Sequence, residues 1–273
     1  TLTRPQDYKV FLVPSSCSSP AVTVDGFARL GSRPSYRLDV ALLMDVSGSS
    51  KKDALDVDGD GVVDSILEAE IAAARCFMGG LDERTTRVCL MTFSDAVTVL
   101  HDFSSDFDAL SSSLDGVTAG GGTNFDAAFQ AARDVLEVRK LSDDSEETPD
   151  EEPAIKKPSP FQAVVLLSDG IATSHGVPRV KSDSNLTQSS ADRGTAIASA
   201  TSLGESTSAQ LFAYSFLPLN DTNKKRTTLP HCVAACGGGK YEEISDIGDL
   251  SSALCGEPLT ALLEVEITNL TTG

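Results

Sequence analysis

Apolar residues along this 273-residue chain follow two periods, and the changes from one to the other mark out the elements. Val40-Ala41-Leu42-Leu43-Met44, within a strand at 36–45, is an unbroken apolar run, and so is Ala163-Val164-Val165-Leu166-Leu167. Such runs belong to central parallel strands. Arg87–Phe93 and Ala96–Leu100 read as two further strands joined by the short turn Ser94-Asp95. Elsewhere the period is helical. Ile66, Ala69, Ala73 and Phe77 give one apolar face to a helix from Ser65 to Gly79, which Gly79-Gly80 stops. A short helix near 106–114 and a longer one from Phe125 to Val138 flank Gly120-Gly121-Gly122-Thr123-Asn124. Helix 191–206, strand 209–217, a short helix around 228–236, strand 240–244 and helix 247–255 continue the alternation. This order predicts an α/β fold: a doubly wound, mostly parallel sheet flanked by helices.

Other stretches lie outside the alternation. Residues 141–160 are rich in carboxylates and proline and have no apolar period, which predicts a solvated excursion. Polar residues 172–190 predict a second surface loop. Extra β-strands are expected at both termini, at Tyr8–Val13 and Ala21–Val24 and again at Leu262–Thr268. They form a small β element beside the main domain, or the last strand opens a following domain. The division is then an N-terminal β extension at 1–35, the α/β domain at 36–258 and a C-terminal strand at 259–273.

Charge narrows the class of partner. Twenty-two basic and 40 acidic residues give a net charge of −18, which argues against nucleic acid or anionic membrane. It suits divalent cations, a saline exterior or basic protein surfaces. No stretch approaches the roughly 18 apolar residues of a membrane span. The opening Thr1-Leu2-Thr3-Arg4-Pro5 lacks an initiator Met and a signal-peptide pattern, as in a processed chain or an excised segment. Six cysteines, an even number, permit three disulfides. Glycosylation sequons begin at Asn185, Asn220 and Asn269. Cysteines and sequons together favour an oxidising, extracellular or cell-surface setting.

The candidate chemistry lies at the ends of the apolar strands. Asp45-Val46-Ser47-Gly48-Ser49 places a carboxylate and two hydroxyls at alternate positions just past the first core strand. In open α/β sheets that edge is where ligands bind. Thr123 follows three glycines at the mouth of a helix, and Asp169 closes a second apolar strand. Alternating oxygen donors suit a small hard cation such as Mg²⁺.

This set, Asp45, Ser47, Ser49, Thr123 and Asp169, resembles the metal-ion-dependent adhesion site of von Willebrand factor type A domains, integrin I domains included. The pattern is Asp-x-Ser-x-Ser, a Thr after a Gly-rich turn, and an Asp ending a later apolar strand. The resemblance covers roughly residues 36–256. It implies a Rossmann-like fold and Mg²⁺, Mn²⁺ or Ca²⁺ at the five residues. It also implies a protein partner that presents Asp or Glu to the metal. The alternative partner is a neighbouring subunit in an extracellular filament, sheath or matrix. An intracellular chelatase-type or chaperone-type domain is a third class, and it would require free cysteines and no glycans.

Enzymatic readings are weaker. Gly120-Gly121-Gly122-Thr123 lacks the Lys of a P-loop. Nucleophilic chemistry at Ser47 would need a paired base, and His101, His175 and His231 are scattered. The expectation is a binding domain, not an enzyme.

A second metal loop follows the first. Asp56, Asp58, Asp60 and Asp64, with Gly61 at position six and the Val62 carbonyl at position seven, match an EF-hand-type calcium loop. Leu67 stands where the bidentate Glu belongs at position 12, and Glu68, one residue later, is the candidate replacement. The loop forms an insertion at about 51–64.

Type A domains often bring their two ends together, which implies Cys17–Cys255. Cys232 and Cys236 are close enough in sequence to bridge, with a zinc site at His231, Cys232 and Cys236 as the rival. That leaves Cys76–Cys89, or two buried thiols.

Overall fold

The computed structural model describes residues 37–53, 56, 61–144, 160–176, 180–181, 190–216, 225–244 and 254. The strands are β1 (Leu38–Asp45), β2 (Thr86–Phe93), β3 (Val97–Ser104), β4 (Phe161–Ser168), β5 (Ser174–His175), β6 (Val180–Lys181), β7 (Gln210–Phe216) and β8 (Tyr241–Ile244). The helices are α1 (Ile66–Gly79), α2 (Phe107–Ser112), α3 (Phe125–Asp144), α4 (Ser190–Thr207) and α5 (Lys225–Cys236). A short 3-10 turn occupies Gly48–Lys51.

Six strands form one sheet in the order β3-β2-β1-β4-β7-β8, all parallel except β3. This is the expected doubly wound architecture. The central strands are apolar throughout because both of their faces are covered. Val40, Leu42 and Met44 of β1 pack with Ile66, Ala73 and Phe77 of α1 and with α2. Ala41 and Leu43 pack on the other face with Phe125 and Phe129 of α3 and with α4 and α5. Fully burying each such large side chain contributes about 1.5–3 kcal/mol.

The order in which successive strands are added reverses about β1. It pairs with β2 on one side and β4 on the other, so their carboxyl ends meet at a topological switch point. Crevices at that position bind ligands in open α/β sheets. At the outer edge β3 runs antiparallel to β2, with register irregularities near Val88 and Leu90.

The boundaries depart from expectation in four places, the first being β3, which runs on to Ser104 past the expected end at Leu100. α3 continues to Asp144, four residues into the expected acidic excursion. The loop at 172–190 contains the short antiparallel pair β5–β6. α5 begins at Lys225, before the expected start at 228. The terminal strands at 8–13, 21–24 and 262–268 lie outside the described residues, as does helix 247–255 apart from the helical Leu254.

Two cysteine pairings are corrected. Cys89 is a free, buried thiol and Cys76 is disulfide-bonded, so Cys76–Cys89 does not form. Cys89 belongs to the core under α3, whereas α1 packs on the opposite face of the sheet. Burial pushes the Cys89 thiol up to about 12, with the Asp102 charge acting in the same sense. Cys232 and Cys236 are also free. Both lie in α5, where side chains four apart keep their Cβ atoms about 5–6 Å from each other. A disulfide needs about 3.5–4.5 Å. Cys17 and Cys255 lie outside the described residues, and so do the sequon residues Asn185, Asn220 and Asn269.

Candidate metal centre

The register of β1 against β4 sets Met44 beside Leu167, so Asp45 and Ser168 leave the sheet side by side. Asp45 and Asp169 are both fully buried, and Ser47 is 1% exposed. A chain of hydrogen bonds joins them. The Ser168 hydroxyl donates to Asp45 Oδ2 at 2.6 Å, and the Ser47 N–H donates to Asp45 Oδ1 at 2.9 Å. Ser47 Oγ lies 3.0 Å from Ser49 Oγ, which donates to Asp169 Oδ1 at 2.8 Å. Four of the five expected residues thus meet in one network across 120 or more positions of sequence.

Thr123 arrives on a third loop, stitched to the first by its backbone. Gly48 N–H donates to the Gly121 carbonyl at 3.0 Å, and Gly120 N–H to the Val46 carbonyl at 2.7 Å. Thr123 itself is 3% exposed. Its N–H donates to Thr173 Oγ1 at 2.9 Å, and its carbonyl accepts from Thr173 N–H at 3.0 Å. Fixing both backbone groups sets the direction of the side chain. The loop demands glycine at Gly121, where φ is +85° and an added Cβ would stand 2.9 Å from Asp95 Oδ2. Asp95 Oδ1 accepts from Gly122 N–H at 2.6 Å and so holds the loop down.

These three supporting residues, Ser168, Asp95 and Thr173, went unassigned in the sequence reading. Ser168 precedes the ligand Asp169, and Asp95 sits in the turn between β2 and β3. Each carries a signal only as a polar residue at the carboxyl edge of the sheet. Asn124 adds a cap to α3, its Oδ1 accepting from Ala127 N–H at 3.1 Å.

The electrostatics of the site are those of two buried acids close to each other. Burial raises the Asp45 carboxyl to about 7, the charge of Asp169 adds to the rise, and hydrogen bonds from Ser168 and Ser47 oppose it. Two buried acids facing each other are costly unless one is protonated or a positive ion lies between them. The donors present are carboxylate and hydroxyl oxygens, the set that hard divalent cations take. Among the described residues, no three His, Cys, Asp or Glu side chains form a cage of their own, so a cation here depends on the hydroxyls. The residues fit Mg²⁺ or a similar ion.

In the second loop, Asp56 Oδ2 accepts from Gly61 N–H at 2.8 Å, and Gly61 has φ of +87°. This tie from position one to position six is how such a loop closes on itself. Asp58 and Asp60 lie outside the described residues. Val62 and Val63 are exposed, and Leu67 is buried in the core. Glu68, expected as a calcium ligand, makes a capping box with Ser65. Its Oε2 accepts from Ser65 N–H at 2.6 Å and Ser65 Oγ at 2.8 Å, while Ser65 Oγ accepts from Glu68 N–H. This capping box starts α1. The Ser65 bonds hold the Glu68 carboxyl below its ordinary range.

The histidines sit apart from Ser47. His101 Nδ1 lies 2.7 Å from the Asp102 carbonyl, His175 Nδ1 lies 2.7 Å from Asp192 Oδ1, and His231 meets Tyr241 edge-on.

Residues 40–171 match the family model of the von Willebrand factor type A domain. No curated protein matches the chain. Among solved structures, the PilB minor pilin from Streptococcus sanguinis is similar at 14% identity and TM-score 0.57, over 87% of this chain and 64% of that one. The chain therefore spans less than two thirds of that pilin's length. The vWF domain of the type V pili tip protein Mfa5 from Porphyromonas gingivalis is similar at 12% identity and TM-score 0.56, over 86% and 98% of the two chains. A von Willebrand factor type A protein from Catenulispora acidiphila is similar at 14% identity and TM-score 0.52, over 81% and 42%. The chain shares its fold with these proteins, and residues 40–171, from β1 to just past Asp169, carry the match to the von Willebrand factor type A domain.

Proposed function

We propose that this chain is an extracellular or cell-surface binding domain that holds a divalent cation at Asp45, Ser47, Ser49, Thr123 and Asp169. Through that cation it takes an acidic side chain of a protein partner. The observation that carries the reading is the network in which Ser47 and Ser49 bridge two fully buried aspartates from separate strands. The two aspartates match the charge of a bound Mg²⁺ and the three hydroxyls add none, so a coordination position left to water is open to exchange for a partner's carboxylate. Among the described residues no helix is long and apolar enough to cross a membrane.

A second reading is assembly, in which the metal meets a neighbouring subunit permanently. The likeness to a minor pilin and a pilus tip domain favours it, at the level of the shared fold.

Titration with Mn²⁺, followed by water-proton relaxation, tests the site directly. Bound Mn²⁺ with an exchangeable water is expected to enhance relaxation, and a glutamate-containing peptide to reduce it by displacing that water. Asp45→Ala is expected to lose Mn²⁺ binding while far-UV circular dichroism stays unchanged. Equal Mn²⁺ binding by Asp45→Ala would sink the proposal.

A further inference from the structure

We propose that Glu70 is a third carboxylate of this metal centre, accepting hydrogen bonds from a metal-bound water and strengthening the site's hold on the cation. The inference rests on reading the sheet edge as a cation site. Glu70 lies in the second turn of α1, fully buried, and neither carboxylate oxygen has a hydrogen-bond partner among the described residues. It interrupts the apolar stripe of that helix, four residues after Ile66 and three before Ala73. An acid there gains nothing from packing.

The other buried acids away from the site have evident companions. Asp39 faces Arg139 Nε at 3.4 Å, and Asp192 faces His175 at 2.7 Å. Asp126 accepts from Ser199, Gln130 and the Gly176 N–H. Glu70 differs from all three. Burial pushes its carboxyl well above the ordinary range, and among the described residues the charges of Asp45 and Asp169 act in the same sense. Two buried ligand acids and a third acid within their field leave one thing wanting, a positive charge.

The start of α1 is bound to the metal loop. Ile66 N–H donates to the Lys52 carbonyl at 2.9 Å, directly after the turn that carries Ser49, and Asp53 bridges to Ser65. The first turns of the helix are thereby held beside the site. Because no three acids form a cage of their own among the described residues, Glu70 reaches the ion through water, not by direct contact. Groups placed in this way orient metal-bound ligands, and their loss typically weakens metal binding by about 10–100-fold.

The test is calorimetric titration of Mg²⁺ and Mn²⁺ into the unaltered protein, Glu70→Gln and Glu70→Met. Gln keeps the shape without the charge, and Met suits the apolar surroundings should the amide not be tolerated. The expected result is dissociation constants about 10–100-fold weaker in both variants, with metal-free melting temperatures equal to or above that of the unaltered protein. Metal binding within twofold of the unaltered protein would overturn the role of Glu70 and leave the five-residue site standing. Absence of Mg²⁺ and Mn²⁺ binding by the unaltered protein would overturn both.

Discussion

The sheet edge around Asp45 and the acidic loop that begins at Asp56 are neighbours in sequence, both rich in oxygen, and built on opposite plans. The edge is assembled from residues more than 100 positions apart, and its acids are fully buried by the fold. The loop is closed by contacts within five residues, and its flank at Val62 and Val63 is exposed. The edge is thus pre-formed by the fold and carries the electrostatic cost of its own acids. The loop pays little of either kind, because water solvates what the chain leaves open.

The largest expected difference is in the response to pH. Asp45 has a folded value of about 7 against an ordinary 3.8, so the native state holds a proton that the unfolded chain has lost between those limits. Metal-free protein is therefore expected to lose stability as pH rises from about 4 to about 7, by on the order of 4 kcal/mol. Saturating Mg²⁺ replaces the proton and removes that loss. Glu68 beside the loop works in the other sense: its carboxyl is lowered, so its contribution is lost as pH falls through its folded value. Urea unfolding at pH 5 and pH 7.5, with chelator and with Mg²⁺, measures the Asp45 effect, and the Glu68 effect is read below its ordinary 4.5. Metal-free protein that is more stable at pH 7.5 breaks the comparison.

Two glycines sharpen it next. Gly121 and Gly61 have nearly the same backbone angle, +85° and +87°. An added Cβ at Gly121 meets Asp95, and at Gly61 it meets nothing within 4 Å. Gly121→Ala is expected to cost about 2–3 kcal/mol and to weaken Mg²⁺ binding. Gly61→Ala is expected to cost about 1–2 kcal/mol and to leave Mg²⁺ binding unchanged. Equal costs in denaturant unfolding would mean that the edge is no more rigid than the loop.

The smallest effect belongs to Ser65. Its replacement by Ala removes the capping box and is expected to cost about 1 kcal/mol, with or without Ca²⁺. A cost that appears only in Ca²⁺ would return Glu68 to the calcium loop.

What could be read from the residues follows the same division. The doubly wound sheet was legible because continuous apolar runs and helical stripes are local signals, and Asp45, Ser47, Ser49, Thr123 and Asp169 lie at their ends. Asp95, Thr173 and Ser168 were not legible, because their roles depend on which loops the sheet brings together. Glu70 was visible only as an acid in the wrong place on a helix. The cysteines misled for a geometric reason. Pairing by elimination says nothing about place in the fold: Cys76 is exposed on α1, which covers one face of the sheet, and Cys89 is buried in the core on the other.

One edge of the sheet bears on how copies of this domain can meet. β3 presents its outer side antiparallel to the rest, with an irregular register near its centre and His101 and Asp102 along it. A bulged and charged border is a poor template for another strand to extend. At this edge two such domains set side by side are kept from joining their backbones, and contact there falls to side chains.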